Sequence, residues 1–478
     1  MHLLVFKRLV SCIGVVSGSA HKLMTTLMRT MTTTEYTDHQ LKDTINDRIF
    51  SYLYVSPRVG HIVYNVLQPK YDNKYLNNVL HKLSDIQHNC HRRGLDCHWD
   101  YTRLENDLKE IIELKTQLEQ KLQTKLKLQN KIQSKKRQNK VISDELQQQY
   151  NTISDVMKDI YEKINVLEEV VIKFVLQIPN DIRNDVKQEY EVISSYEPKD
   201  KNIKLYKVLN YIQLSYINKC LFNSIIGPKS VYLNTIGTQM NDSIIEFFGQ
   251  SLRCNQFVDI SGIDFVKTAV IEATHYKELS DYKSDKLQIN AKHKSTHNQQ
   301  LNQGLHFVGN SSFESICAFI SKRQFNWTQD INAIKLLSIG QEYQQCFTQN
   351  NSLNATIITK PDENLSNYQM NELNQLLWKC LTQLDIKCRS IRTGAQQLEI
   401  SQFSGIDFQV WLRSKNQWLT VCQITHYKDY ISIRLGAPES HIINACLHLY
   451  PIIISIIEQN QTIDGNVEIP QILNKFLI

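Results

Sequence analysis

Proline and glycine are scarce in this chain, 9 and 15 of 478 residues. That excludes collagen-like and Gly/Pro-rich disordered classes. No stretch approaches the ~18 consecutive apolar residues of a spanning helix. The longest apolar run, near Leu449–Ile457, is broken by Pro451 and Ser455, so no membrane insertion is expected. Paired cysteine spacing is also missing. The 11 cysteines are an odd number, scattered from Cys12 to Cys446. This excludes a secreted disulfide scaffold and points to a reducing compartment. The length suffices for several domains with large cores, so no staple or structural metal is required for folding. The net charge of +6 is only mildly basic, so its distribution matters more than its sum.

Acid is absent from the first 34 residues. They carry Lys7, Arg8, Lys22 and Arg29 among Ser, Thr and apolar residues. This is the composition of a mitochondrial transit peptide, basic, hydroxylated and able to form an amphipathic helix. A secretory signal centred on Leu9–Val16 is the alternative, but that region is short and polar-interrupted. Residues 1–34 are therefore expected to direct the protein to the mitochondrial matrix.

Residues 35–98 form a mixed N-terminal segment. From 99 to 180 the texture changes. Between Tyr101 and Ile178 there is neither Gly nor Pro. Leu146, Tyr150, Ile153, Met157, Ile160, Ile164, Leu167, Val171, Phe174 and Ile178 follow alternating steps of four and three, a heptad seam. The preceding half reads Leu104, Leu108, Ile111, Leu118, Leu122 and Ile132, with Lys115, Lys125 and Gln129 interrupting. Between the halves lies the polar stretch Lys135–Lys140. Two long helices joined at a polar tip predict an antiparallel coiled-coil arm. Its far end has no acid from Gln120 to Ser143. That stretch holds Lys121, Lys125, Lys127, Lys131, Lys135, Lys136, Arg137 and Lys140. Such a concentration attracts phosphate backbone through counterion release, so these residues are the candidate RNA-binding set. A solvated helix face or a purely scaffolding coiled coil would also tolerate them.

Residues 181–230 are a polar, Lys-rich connector. From 231 to 478 the pattern is globular α+β. Strand candidates include Leu305–Val308, Phe408–Leu412 and Trp418–Ile424. Helix candidates include Asp242–Leu252, Asn371–Leu384 and Leu449–Gln459. Strands in succession with helices around them predict an antiparallel sheet.

Several tempting clusters lead nowhere. His88, Cys90, His91, Cys97 and His98 match no zinc spacing. Val308-Gly309-Asn310-Ser311-Ser312 lacks the lysine and repeated glycines of a phosphate loop. There is no nucleophile elbow. The pentapeptide SGIDF occurs at Ser261–Phe265 and Ser404–Phe408, and THYK at Thr274–Lys277 and Thr425–Lys428. The repeat reads as two similar strand pairs or as chance. No metal and no cofactor is implied.

The order of parts resembles the seryl-tRNA synthetase family, class II enzymes with an N-terminal coiled-coil arm that grips tRNA. Arg92-Arg93-Gly94-Leu95-Asp96 is similar to the segment that opens the family's arm, and Leu176-Gln177-Ile178-Pro179-Asn180 to the one that closes it. Val231-Tyr232-Leu233 through Leu252 resembles the first core motif. Phe408-Gln409-Val410-Trp411-Leu412 resembles the Ile-Glu-Val-Trp-Leu strand. Ile456 through Gln461, then Asp464-Gly465 and Ile469-Pro470, resemble the family's terminus. The resemblance covers nearly the whole chain after residue 35. It implies an N-terminal antiparallel coiled-coil arm followed by a class II synthetase-like antiparallel sheet core with flanking helices.

The chemistry-bearing positions depart from the family. Amino-acid activation builds an anionic transition state at the ATP α-phosphate, held by arginine forks and Mg²⁺. Between Arg323 and Arg389 there is no arginine. The place of the second motif's arginine reads Leu336-Leu337-Ser338-Ile339-Gly340, with the following loop shortened. The third motif's arginine falls at Pro451, and Arg434 is the last arginine of the chain. The serine-holding Thr-x-Glu becomes Asn310-Ser311-Ser312. The metal-binding glutamate aligns with Thr420, followed by Val421-Cys422-Gln423, and the serine-pocket asparagine with His426. The first motif's proline falls at Gly262 or Ile263. Asn310, Ser312, Thr420, His426 and Pro451 are thus degenerate active-site positions, and no catalytic residue is assigned.

The resemblance is nearest to the seryl-tRNA synthetase-like insect mitochondrial proteins, a non-catalytic branch of the family. It implies RNA or tRNA binding, support of mitochondrial gene expression, and association with the active mitochondrial seryl-tRNA synthetase as a heterodimer. The interface would use the first motif, with Ile236, Met240, Ile244 and Phe248 on one helical face. A core role accounts for the same periodicity. The alternative function is an active but divergent mitochondrial seryl-tRNA synthetase, using Lys335, Lys428 or Arg434 as replacement cations.

Overall fold

The computed structural model describes residues 73–95, 99–137, 144–198, 231–275, 305–344 (apart from 329), 348–437, 440–462 and 466–476. It also describes the short strands 13–14, 221–223 and 288–289, and single residues between 51 and 71. Residues 1–34, expected to be an import segment (apart from 13–14), most of the 181–230 connector, Lys140 and Asp464-Gly465 lie outside the described residues.

The chain divides into two compact units, residues 36–179 and residues 1–35 with 180–478. The first unit is helical. Helices α1 (Asn73–His81) and α2 (Leu83–Arg92) bury Leu76, Val79, Ile86 and Cys90. Gly94 follows the end of α2 at φ +67, where a side chain would be strained. Its N–H and that of Leu95 close the last turn on His91 and Cys90 carbonyls.

Helices α3 (Tyr101–Arg137, 37 residues) and α4 (Asp144–Gln177, 34 residues) form the arm, each about 50–55 Å long at 1.5 Å per residue. They run antiparallel. Trp99 meets Phe174 edge-on at 4.8 Å, Lys115 pairs with Glu168 at 2.8 Å, and Lys125 lies 5.1 Å over the Tyr150 ring. The two lysines that break the apolar repeat are therefore cross-helix contacts. The α4 seam is buried or half-buried from Leu146 to Phe174. On α3, Leu104, Leu108, Ile111 and Ile132 are buried. Leu122 departs from its expected place and is 38% exposed.

The second unit is built on an eight-stranded sheet. Its members, in chain order, are β1 (Glu191–Tyr196), β2 (Val258–Asp259), β5 (Ala333–Gln344), β6 (Thr348–Thr359), β7 (Cys388–Arg392), β8 (Ser404–Leu412), β9 (Gln417–Lys428) and β10 (His441–His448). The spatial order is β1-β7-β8-β9-β10-β6-β5-β2. All pairings are antiparallel except β5–β2. A small sheet pairs β3 (Phe265–Lys267) with β4 (Leu305–Phe307).

Side chains alternate across a strand, and one face of the large sheet is apolar. Leu353, Ala355 and Ile357 of β6, and Ile443, Ala445 and Leu447 of β10, face three helices across one core cluster. These are α5 (Thr235–Cys254), α8 (Glu363–Gln383) and α10 (Leu449–Gln459). The terminal motif earns its residues structurally. Buried Glu458 accepts from the Ser414 N–H at 3.0 Å and its hydroxyl at 2.7 Å, and Gln459 bonds Lys387 and Trp411 backbone. Asn180, which closes the arm motif, donates to the Ser401 and Tyr427 carbonyls at 2.8 Å each.

Two expectations change. Met240, Ile244 and Phe248 are 1%, 0% and 1% exposed, inside the core cluster. They serve the fold rather than a surface, and of the four interface candidates only Ile236, 45% exposed, faces outward. The repeated peptides do not share a structure. Ser404–Phe408 is strand, whereas Ser261–Asp264 is irregular; Thr425–Lys428 is strand, whereas Thr274 ends helix α6 (Thr268–Thr274). The repeat is chance.

Candidate nucleic-acid interface and the polar floor of the sheet

On the arm, Lys121, Lys127, Lys131 and Arg137 are exposed, and Lys125 and Lys135 partly so. Lys127, Lys131 and Lys135 share one face at i, i+4 spacing. Among the described residues none of these six enters an ion pair, whereas Arg103, Lys109 and Lys115 nearer the base pair with Asp107, Glu105 and Glu168. Positive charge is compensated at the base and uncompensated at the tip. The side chain of Lys136 and all of Lys140 lie outside the described residues.

The face of the large sheet opposite the helices is polar. Helix α7 (Phe313–Ile320) begins over it. The segment leading into α7 needs Gly309 at φ +92, where a Cβ would stand 2.2 Å from the Gln341 carbonyl. Ser312 caps the helix by accepting from the Ser315 N–H at 3.2 Å. Asn310 accepts from the Gln341 N–H and the Ser338 hydroxyl, both at 3.0 Å. The Ser311 and Ser352 hydroxyls meet at 2.7 Å. Asn354 donates to the Ser311 carbonyl at 2.6 Å and accepts from Asn444 at 3.0 Å; Thr356 donates to Asn444 at 2.7 Å. Ser311, Ser352, Asn354, Thr356 and Asn444 are all buried. The floor is a closed hydrogen-bond ladder of neutral groups, each satisfied by another. The phosphate-loop reading of 308–312 ends here, since these groups cap a helix and knit strands together.

The remaining positions singled out in the sequence are Thr420, Pro451 and His426. Thr420 accepts from Gln409 at 3.4 Å. Pro451 sits in the first turn of α10, where a missing N–H costs nothing. His426 is fully buried edge-on to Phe403, with neither ring nitrogen bonded among the described residues. Burial and neighbouring positive charge, led by His441, hold it well below the usual histidine range.

The three cations expected to serve an active but divergent site do not converge. Lys335 donates to the Asn255 carbonyl at 3.4 Å and lies over Phe257. Lys428 pairs with Glu363 at 2.8 Å and lies over Phe403. Arg434, at the end of the short helix α9 (Tyr430–Arg434), is buried on the Tyr430 ring. A cleft of about 250 Å³ opens over β7–β9, lined by Tyr190, Arg389, Asp407, Gln409 and Gln423. Arg389 is spent there on the Trp418 face at 4.4 Å and on Gln409 at 2.8 Å. Burial pushes Asp407 up to about 6.

His275, just past α6, is gripped by Glu314 at 2.7 Å and Glu399 at 3.3 Å. Burial opposes its charge, but the two carboxylates outweigh it and raise the imidazole to about 10. The unfolded chain titrates near ~6.5, so this contribution is full below that pH and fades as pH rises towards 10. His275→Gln is expected to lower the melting temperature clearly at pH 6 and much less at pH 10. Paired thermal melts at the two values check this; an equal loss at both would contradict it.

Sequence reasoning missed one group on the polar face. Glu342 of β5 and Cys446 and His448 of β10 bring a carboxylate, a thiol and an imidazole together. The Cys446 Sγ donates to Glu342 Oε2 at 3.3 Å and lies 3.7 Å from His448 Nε2. The Cys-x-His spacing on a strand, which puts both on one face, was the available signal. By contrast, in the His88–His98 segment Cys90 is buried while His88 and His91 are exposed, and Cys97 and His98 lie outside the described residues.

No protein-family profile matches the chain. Among curated proteins, it is 27% identical to a serine–tRNA ligase of Nautilia profundicola over 129 residues, 25% of this chain and 30% of that one. A serine–tRNA ligase of Ehrlichia ruminantium is 22% identical over 153 residues, 29% and 36% of the two chains. The matched segment thus spans about a third of these relatives. Two solved structures are similar over most of their length. They are the cytoplasmic serine–tRNA ligase of Naegleria fowleri with AMP and the seryl-tRNA synthetase of Pyrococcus horikoshii with ATP. Each has TM-score 0.64 and 15% identity; the coverage is 82% of this chain and 94% of the first, and 85% and 98% for the second. The chain has the seryl-tRNA synthetase fold and resembles that family in sequence over part of its length.

Proposed function

We propose that the chain is a non-catalytic mitochondrial relative of seryl-tRNA synthetase. It binds RNA, tRNA foremost, through the tip of its arm, and associates with the active mitochondrial seryl-tRNA synthetase to support mitochondrial translation. The observation that carries the reading is a division within the fold. Uncompensated positive charge is concentrated on the arm, while the sheet face under α7 is a ladder of neutral side chains, and Arg389, beyond it over β7–β9, is engaged by Trp418 and Gln409. A pentavalent phosphate has no fork to meet it there, and lysine would not supply one. The acid-free N-terminus supports the matrix location. Among the described residues no helix is long and apolar enough to cross a membrane.

The surface offered to a partner is the exposed part of the first core motif. Tyr232 is 63% and Ile236 45% exposed, and Ile263, Phe265 and Leu305 lie exposed near and along the small sheet. A related but non-identical subunit can complement such a surface. The heterodimer would place this arm on a tRNA whose acceptor end enters the partner. Co-expression with the mitochondrial seryl-tRNA synthetase, followed by size exclusion and mass measurement, is expected to give a one-to-one complex. Tyr232→Asp with Ile236→Asp is expected to separate it while leaving each chain folded. Elution as a homodimer alone in the presence of that synthetase would refute the pairing.

A further inference from the structure

We infer that Glu342, Cys446 and His448 form a zinc site on the polar face of the sheet. The three ligand types are those zinc prefers, with the thiolate as the soft member. They come from β5 and β10, which flank β6. The register explains why they meet. Ser352 of β6 stands opposite both Gly340 and His448. The positions between the three ligands are therefore occupied by a small hydroxyl and by no side chain at all. Longer groups on either side can lean together over that gap.

The spacing fits an ion. Zinc bonds of about 2.3 Å to sulfur and 2.0–2.2 Å to nitrogen and oxygen place tetrahedral ligands about 3.4–3.6 Å apart. Here Sγ to Oε2 is 3.3 Å and Sγ to Nε2 is 3.7 Å, and one ligand atom from each of the three residues lies within 4.8 Å of the others. Small side-chain shifts would bring the three onto one ion. The His448 Nδ1 is buried with no hydrogen-bond partner among the described residues. This is unusual for an imidazole serving only the fold. Side-chain exposure of 15% for both Glu342 and His448 leaves the site shielded but reachable. Binding converts the Cys446 thiol to thiolate and releases its proton to solvent. Three protein ligands leave the fourth tetrahedral position to an exchangeable water, the arrangement of a reactive rather than a purely structural zinc. The inference stands apart from the RNA-binding role, since it uses only the sheet unit.

The test uses the full chain, stripped of metal by a chelator and titrated with cobalt(II), then with zinc in competition. One equivalent of cobalt is expected to give a thiolate-to-metal charge-transfer band in the near ultraviolet and intense tetrahedral d–d bands, both displaced by zinc. Cys446→Ser is expected to abolish the charge-transfer band. Glu342→Gln and His448→Ala are each expected to weaken zinc by more than the ~10–100-fold that loss of an outer-shell partner costs. Far-ultraviolet circular dichroism checks that each variant is folded. If Cys446→Ser fails to fold, the other two carry the test. A band that survives Cys446→Ser, or zinc affinity unchanged in both remaining variants, would overturn the site.

Discussion

Replacing Lys121, Lys127, Lys131 and Arg137 by glutamine is expected to strip the chain of most of its RNA affinity while leaving its fold intact. The four side chains are exposed, and among the described residues none holds an ion pair. Glutamine keeps good helix propensity, so α3 persists. Each phosphate contact contributes about 0.7 to 0.9 to the slope of log K against log salt. Four lost contacts would flatten that slope by about 3 and weaken binding at least ~100-fold at low ionic strength. Filter binding of a tRNA across a salt series reads both quantities. Binding through phosphate predicts similar losses for different RNA sequences. A slope unchanged in the quadruple variant would move the contact off the arm.

Ile244→Asp combined with Phe248→Asp is expected to unfold the sheet unit. Both side chains are essentially solvent-free and pack with Leu337, Leu353 and Leu377 in the main cluster. A buried carboxylate without a partner costs several kcal/mol, and each substitution also removes a large apolar group. Against a total stability of roughly 5–15 kcal/mol, the pair leaves no cooperative core. Loss of the thermal transition and of native circular dichroism is the expected result. A folded double variant that had merely lost a partner would instead place α5 at an interface.

The distinction between those outcomes shows what could be read from residues alone. The arm was legible because a heptad seam is a local property; Met157, Ile160, Ile164, Val171 and Phe174 are buried where the period puts them. Helix α10 begins and ends at the residues expected from its apolar run. An apolar helical face, however, is the same whether its cover is a sheet or a second chain. Ile236, Met240, Ile244 and Phe248 could not be sorted without seeing β5 and β6 beneath α5. The lysines at 115 and 125 looked like breaks because their partners, Glu168 and Tyr150, belong to the other helix.

The candidate site was legible mainly through what the sequence lacks. The gap in arginine from Arg323 to Arg389 needs no alignment to be seen. What occupies the sheet face was hidden. The ladder Ser311–Asn354–Asn444–Thr356 joins residues from a loop and two strands. Only the strand order β10-β6-β5 brings them into line. The same register assembles Glu342 with Cys446 and His448. Neutral asparagines and serines bonded to one another give a rigid floor that needs no charged group to hold it.

Serine-dependent ATP–pyrophosphate exchange by the purified chain tests the central claim most directly. It reads amino-acid activation alone and needs neither tRNA nor a partner. The account predicts exchange no faster than without serine, with or without added Mg²⁺ or zinc. Serine-dependent exchange above that background, abolished by changing Lys335, Lys428 or Arg434, would contradict it and make the chain an active, divergent synthetase.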